Sequence, residues 1–175
     1  RTDLPLNGLT RRTILWTGLT APLLSCAPGR HELSDLVEGE AGRVVRVRDG
    51  DALVLDTGLN VRLAEIEAPR RGWKKRAEDP FGEQSAQMLE ELALGRRAAL
   101  FYGGLTRDKY ERAIAHLRIW DEAGEAFWLN AKVVQGGGAR VRTWPDNCAK
   151  VRELYGLEAD ARREQRGLWA HSEYD

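Results

Sequence analysis

Residues 62 to 76 read RLAEIEAPRRGWKKR. The first half is a strand-like run carrying Arg62, Glu65 and Glu67, and the second is a loop-like run with five cations, Arg70, Arg71, Lys74, Lys75 and Arg76. Carboxylates can hold a hard cation and guanidinium forks can take a phosphate oxygen, so these residue types brought together could serve phosphodiester chemistry. Upstream, Asp49-Gly50-Asp51 adds two carboxylates, and downstream DKYER holds Lys109, Tyr110, Glu111 and Arg112. Taken singly each feature is ordinary: Asp49-Gly50 is a turn, Arg62 an edge-strand charge, and RRGWKKR a solvated loop. Trp73 inside the cationic run, and Trp144 beside Arg140 and Arg142, could stack on bases in a cationic groove or simply cap the core. The histidines do not converge, with His31 and His171 far from the domain centre and His116 reading as a half-buried structural residue. No His and Cys spacing suggests zinc.

The elements that must position these residues follow from hydrophobic periodicity. GRVVRVRDGDALVLDTGLNVRLAEI has Val-rich and Leu-rich runs broken at Asp49-Gly50 and at Asp56-Thr57-Gly58, which predicts a three-stranded meander. Alternation places Leu53 and Leu55 on one face, and Arg62, Ala64 and Ile66 together on one face of the third strand, with Glu65 opposite. DPFGEQSAQMLEELALG carries Ala86, Leu89 and Leu92 at helical spacing and stops at Gly95. RRAALFYGG and RAIAHLRIWDEAG read as two further strands, FWLNAKVVQGG as a short helix, and residues 148 to 166 as a last helix with Val151, Leu154, Leu157 and Ala161 inward. Three strands, a helix, two strands and two helices give an α+β chain with a five-stranded OB-type barrel and three helices. The domain is expected over 41–170, with a tether at 27–40 and a tail at 171–175.

With the motifs in view, the sequence resembles the staphylococcal nuclease (thermonuclease) family, whose pattern is an Asp-Gly-Asp turn followed by Arg-Leu-x-x-Ile-Asp-x-Pro-Glu. DPFGEQSAQMLEEL is similar to the family's first helix, TRDKYERAIAHL to its Asp-Lys-Tyr-Gly-Arg strand, and WLNAKVVQGGGARV to its second helix, so the likeness spans about 41 to 169. It implies that Asp51 is a direct calcium ligand and that Glu67 stands where the family has its second metal carboxylate, an aspartate. It implies that Arg62 and Arg112 grip the phosphate and stabilise the transition state, and that Lys109 and Tyr110 contact a terminal phosphate. Two positions depart from the pattern. Glu111 replaces a glycine, and Arg70 replaces the glutamate proposed as general base. A guanidinium cannot accept a proton from water. Arg70 is also expected near Asp51 and Glu67, where it could occupy both carboxylates as an ion pair.

The first 26 residues set a different expectation. LTRRTILWTGLTAPLLSC places Arg11 and Arg12 before thirteen uncharged residues and ends on Cys26. The stretch is too short for ~30 Å of hydrocarbon, and Pro22 would interrupt a helix, so it reads as an export signal. Thr10 to Leu15 resembles a twin-arginine signal and Leu23 to Cys26 a bacterial lipobox, which implies lipidation of Cys26 and a periplasmic or membrane-anchored location. A short buried N-terminal helix is the alternative, as is a Cys26 to Cys148 disulfide in place of the lipid.

Composition neither demands nor forbids a polyanion partner. Residues 1 to 25 remove three basic groups and one acidic group from the 27 of each, leaving 24 against 26 and a net charge of −2. The expectation is an exported, monomeric, thermonuclease-like domain that binds DNA or RNA and hydrolyses phosphodiesters with calcium, its activity limited by Arg70. The alternative is an inactive module of the same fold that binds nucleic acid or a protein partner.

Overall fold

The computed structural model describes residues 33–72 and 77–174. The leader with Cys26, and Trp73, Lys74, Lys75 and Arg76, lie outside the described residues.

Strand β1 (Val37–Asp49) is thirteen residues long and serves two neighbours in turn. Its first half pairs antiparallel with β5 (Arg97–Tyr102), Arg43 lying opposite Arg97. Its second half pairs antiparallel with β2 (Ala52–Leu55), Val44 lying opposite Leu55. Irregularities in register between Val44 and Arg46, and between Val47 and Asp49, give the strand the bend such a double role needs. β2 pairs with β3 (Asn60–Leu63) and β5 with β6 (Ala113–Trp120), both antiparallel. β3 and β6 then run parallel, with Arg62 opposite Ile114, and this pairing closes the ring β1-β2-β3-β6-β5. The result is the five-stranded OB-type barrel expected from the element order.

Burial follows the alternation. Val44, Leu53, Leu55, Leu63, Leu100, Leu117 and Ile119 are all essentially inaccessible. α1 (Gly82–Ala93) lays Ala86, Leu89 and Ala93 against this core. α2 (Leu129–Gln135) and α3 (Val151–Arg163) pack on each other, Leu154 and Ala161 facing inward from α3. No helix among the described residues is long and apolar enough to cross a membrane.

Several boundaries differ from those read in the sequence. The domain does not begin at Ala41: β1 starts at Val37 and Leu33 is fully buried, so the later part of the expected tether belongs to the fold. The expected tail is docked, with Tyr174 donating its hydroxyl hydrogen to the Pro80 carbonyl at 2.7 Å and His171 meeting the Phe81 ring. Phe127 and Trp128 are extended in β7 (Ala126–Trp128), not helical, because they pair with β6. His116 is fully buried, not half-buried, with its ring against Trp128.

The third strand also breaks. Glu65 takes a left-handed conformation at φ 63°, ending β3 at Leu63 and starting a two-residue strand, β4 (Ile66–Glu67). β4 pairs with β8 (Arg140–Val141), Glu67 lying opposite Arg140. This small second sheet is what brings the RLAEIEAP segment to the basic stretch ARVRTW.

Candidate functional site

Asp51 is the second residue of the tight Gly50-Asp51 turn between β1 and β2, and the turn is held by contact. A Cβ built on Gly50 would lie 1.8 Å from Ser85 Oγ and 2.8 Å from Ala68 Cβ, so only glycine lets α1 and the Ala68 segment close over it. Asp51 is consequently buried, at 6% exposure. Its Oδ2 accepts the Ala68 N–H at 3.2 Å and lies 3.3 Å from Arg62 Nη2. Burial pushes this carboxyl above the usual carboxylate range, against the opposing pull of Arg62 and the Ala68 amide.

Glu67 faces a different pair of cations. Its Oε2 accepts hydrogen bonds from Arg140 Nη2 at 2.8 Å and Arg142 Nη1 at 3.2 Å. Burial pushes the Glu67 carboxyl up, but the Arg140 hydrogen bond and the charges of Arg142 and Arg140 outweigh it, so the group lies below its ordinary value. Arg142 and Arg62 also flank the Trp144 ring, their guanidinium carbons 5.5 and 5.6 Å from its centroid. Trp144 is exposed, so a cation-lined indole face borders the two carboxylates.

Arg112 is held by Asp108, whose Oδ2 accepts from Arg112 Nε at 2.7 Å and lies 2.6 Å from its Nη2. Asp108 Oδ1 accepts the backbone N–H groups of Tyr110 and Arg112, building the loop before β6 around one carboxylate. Burial raises the Asp108 carboxyl, and Arg112 with these amides brings it below the usual range. Lys109 and Arg112 both approach the Tyr110 ring, which projects into solvent. Glu111, in place of the family's glycine, sits at φ 60°.

Arg70 does not do what the sequence suggested. Its side chain is exposed, and among the described residues no ion pair joins it to Asp51 or Glu67. Its backbone explains the direction: the Arg70 N–H donates to Asp79 Oδ2 at 3.0 Å and its carbonyl accepts the Asp79 N–H. A Cβ on Gly82 would come within 2.2 Å of that carbonyl, so the start of α1 seats directly on residue 70. Arg71 takes the inward role. Its guanidinium meets both oxygens of Glu83 at 2.6 Å and Glu90 at 3.1 Å, while its N–H donates to Asp49. Glu65, opposite Arg62 in the expected strand, is buried away from the site against His116 and the start of α3.

The site therefore joins Asp51, Arg62, Glu67, Arg140, Arg142 and Trp144. Arg140 and Arg142 were legible only as cations beside a tryptophan, because they lie 73 and 75 residues from the carboxylate they bind. Calcium takes six to eight oxygen ligands. Among the described residues no group of three or more His, Cys, Asp or Glu side chains could hold a metal ion. The two carboxylates expected to bind calcium are each engaged by arginine, and as arranged this donor set does not fit the ion.

Comparison with known proteins gives a concordant result. The family model described as "Staphylococcal nuclease homologue" matches residues 60–171. A protein named "Thermonuclease" from Staphylococcus intermedius is 26% identical over 136 residues, covering 76% of this chain and 78% of the relative. An "Uncharacterized endonuclease" from Escherichia coli is 30% identical over 135 residues, covering 75% and 78%. A "Micrococcal nuclease" from Shigella flexneri is 30% identical over 136 residues, covering 74% and 73%.

Proposed function

The chain belongs to the staphylococcal nuclease family, and on that premise we propose that it binds the phosphodiester backbone of nucleic acid and hydrolyses it only weakly. Relatives named as nucleases make nucleic-acid hydrolysis the family's reaction. The observation that carries the reading for this chain is the charge inventory around Asp51: arginines at 62, 140 and 142, and an exposed guanidinium at 70 where a base would stand.

In this reading Arg62 and Arg112 meet a phosphate and stabilise charge that builds on its non-bridging oxygens. Attack by water also requires that the water lose a proton. The position where the resemblance places the base holds Arg70, a guanidinium that cannot accept a proton, and Glu65 is sealed in the core. A general base contributes about 10²–10⁴ in rate, so hydrolysis is slower than in a base-equipped relative by about that factor.

Release of acid-soluble nucleotides from single-stranded DNA and from RNA, compared with the Staphylococcus intermedius thermonuclease, tests this. The expected rate is at least ~100-fold lower, with Arg70→Glu recovering at least ~100-fold, the low end of a base's contribution. Equal rates for the two wild-type proteins would refute the missing-base reading. Failure to bind either nucleic acid would refute the nucleic-acid reading itself. Tight binding with no release at any calcium concentration would select the inactive-module limit of the same arrangement.

Calcium-dependent hydrolysis is a second reading, and the exposure of Arg140 and Arg142, 48% and 51%, favours it, because ion pairs at the solvent edge open readily. Saturable calcium binding in calorimetry, together with calcium-dependent nucleotide release, would establish it. Export and lipid anchoring at Cys26 are a separate proposal, supported by the arginine pair and lipobox-like sequence. Cys26→Ser is expected to move the protein out of the membrane fraction, and an unchanged distribution with no lipid mass on the wild type would remove the claim.

A further inference from the structure

We propose that Arg140 and Arg142 stand in for the divalent cation at Glu67, so that this site takes a nucleic-acid phosphate without metal. The proposal rests on the nucleic-acid reading above and specifies how that site meets its ligand.

A metal ion between two carboxylates and a phosphate does two things: it cancels the carboxylate charge and presents a positive centre to the phosphate oxygens. The two arginines are placed to do both. Arg140 spends Nη2 on Glu67 Oε2 at 2.8 Å, and Arg142 spends Nη1 on the same oxygen at 3.2 Å. A guanidinium carries five N–H donors in a fixed plane, so each arginine retains donors after that bond is made. Both side chains are about half exposed, which leaves those donors open to a ligand arriving from solvent. Arg62 repeats the pattern at Asp51, with Nη2 3.3 Å from Oδ2 and its side chain 21% exposed.

The balance of charge agrees. Three guanidiniums, at 62, 140 and 142, face the carboxylates of 51 and 67, with Asp49 also acting on Asp51, so the arginines offset the carboxylate charge with no ion added. The indole of Trp144 lies within 5.6 Å of the guanidinium carbons of both Arg62 and Arg142, so an aromatic face adjoins the arginine cluster. Arg140 comes from β8, directly opposite Glu67 in register, and Arg142 follows that strand with its N–H on the Glu65 carbonyl, so the backbone holds both beside Glu67.

The test is fluorescence anisotropy of a labelled single-stranded oligonucleotide with the full chain, in EDTA and in calcium, across a salt series. The wild-type Kd in EDTA is expected to agree with that in calcium within about twofold, since phosphate contacts here come from arginine. Arg140→Gln/Arg142→Gln should weaken binding at least ~10-fold in both buffers and reduce the salt slope by about 1.4, two contacts at about 0.7 each on a single strand. Glu67→Gln should tighten binding in EDTA, because it removes a carboxylate charge and frees both guanidiniums for the phosphate. Melting curves confirm that each variant is folded, and the wild-type comparison needs no variant at all. Binding that EDTA abolishes and calcium restores overturns the substitution while leaving the nucleic-acid reading intact. Loss of binding in Glu67→Gln overturns it in the same way. Absence of binding in both buffers overturns the substitution and the nucleic-acid reading together.

Discussion

Glu65 is the carboxylate nearest in sequence to the site that could be mistaken for a replacement base, and its substitution separates a structural role from a catalytic one. It is 1% exposed. Both its oxygens lie 3.1 Å from the Lys150 N–H at the start of α3, and Oε1 lies 3.3 Å from His116 Nε2. Glu65→Ala leaves the Lys150 amide and the imidazole nitrogen buried without a partner, at about 1–3 kcal/mol each, or roughly 2–6 kcal/mol together. Removing a buried carboxyl returns part of that by ending its own desolvation, and alanine gains nothing at φ 63° because it is as strained there as glutamate. The expected net loss is about 3 kcal/mol, a fall of about 10 °C in Tm for a domain of this size. Glu65→Gln should lose about 1 kcal/mol, since its amide oxygen still accepts from Lys150 and its NH₂ can reach His116. Urea unfolding followed by the fluorescence of the six tryptophans measures both. Oligonucleotide affinity of the folded protein should not move. A loss below about 1 kcal/mol for Glu65→Ala, or a selective fall in hydrolysis at unchanged stability, would refute the assignment.

Two further outcomes follow from local geometry. Glu111→Gly should stabilise the domain by about 0.5–1 kcal/mol, because relief of a left-handed non-glycine residue at φ 60° exceeds the added unfolded-state entropy of glycine; an upward shift of the urea midpoint at constant slope measures it. Arg71→Ala should speed hydrogen exchange at its own amide by at least ~10-fold, since the guanidinium clamp on Glu83 and Glu90 is what holds that N–H against Asp49; equal exchange in the two proteins would show that the amide bond holds alone.

Most of the barrel was legible because its strands obey period two and its helices period three to four. The meander, α1, β5 and β6 fall where Leu53, Leu89, Leu100 and Leu117 alternate or recur, and these residues form the core. Elements set by long-range partners were not legible. β7 exists because Phe127 finds Ile119 across a ladder, although its sequence is an apolar run that also suits a helix. The break at Glu65 carries no glycine to announce it, and a glutamate at positive φ is held only because Lys150, His116 and the Arg142 N–H converge on that residue. Within the site, Asp51 and Arg62 were readable from one short motif. The occupants of Glu67 were not, because β8 meets β4 only through the tertiary fold, 73 residues along the chain from Glu67 to Arg140. Arg70 pointed the wrong way in the sequence reading because the decisive group was the backbone: Asp79 binds both the N–H and the carbonyl of residue 70, and Gly82 lets α1 seat there.

Whether the arginines keep a divalent ion from this cluster can be decided by magnitude. Unit charges 4 Å apart near a protein surface interact by about 4 kcal/mol, so a doubly charged ion on Glu67 would meet about 8 kcal/mol of repulsion from each guanidinium left in place. The guanidiniums need not stay. Arg140 and Arg142 are half exposed, and pairs of that kind contribute about 0–1 kcal/mol, so swinging them into solvent costs little. Repulsion by these arginines is therefore avoidable and does not by itself exclude the ion. Ligand number does not exclude it either, because waters and backbone carbonyls complete calcium shells that carboxylates only begin. What the arrangement fixes is the state without an ion: Arg140 and Arg142 neutralise Glu67, and Arg62 lies against Asp51, so neither carboxylate is left uncompensated. The absent base traces to a different residue, Arg70, whose backbone is fixed to Asp79 and whose guanidinium cannot take a proton. An ion can therefore displace arginines at small cost, whereas no displacement supplies the base.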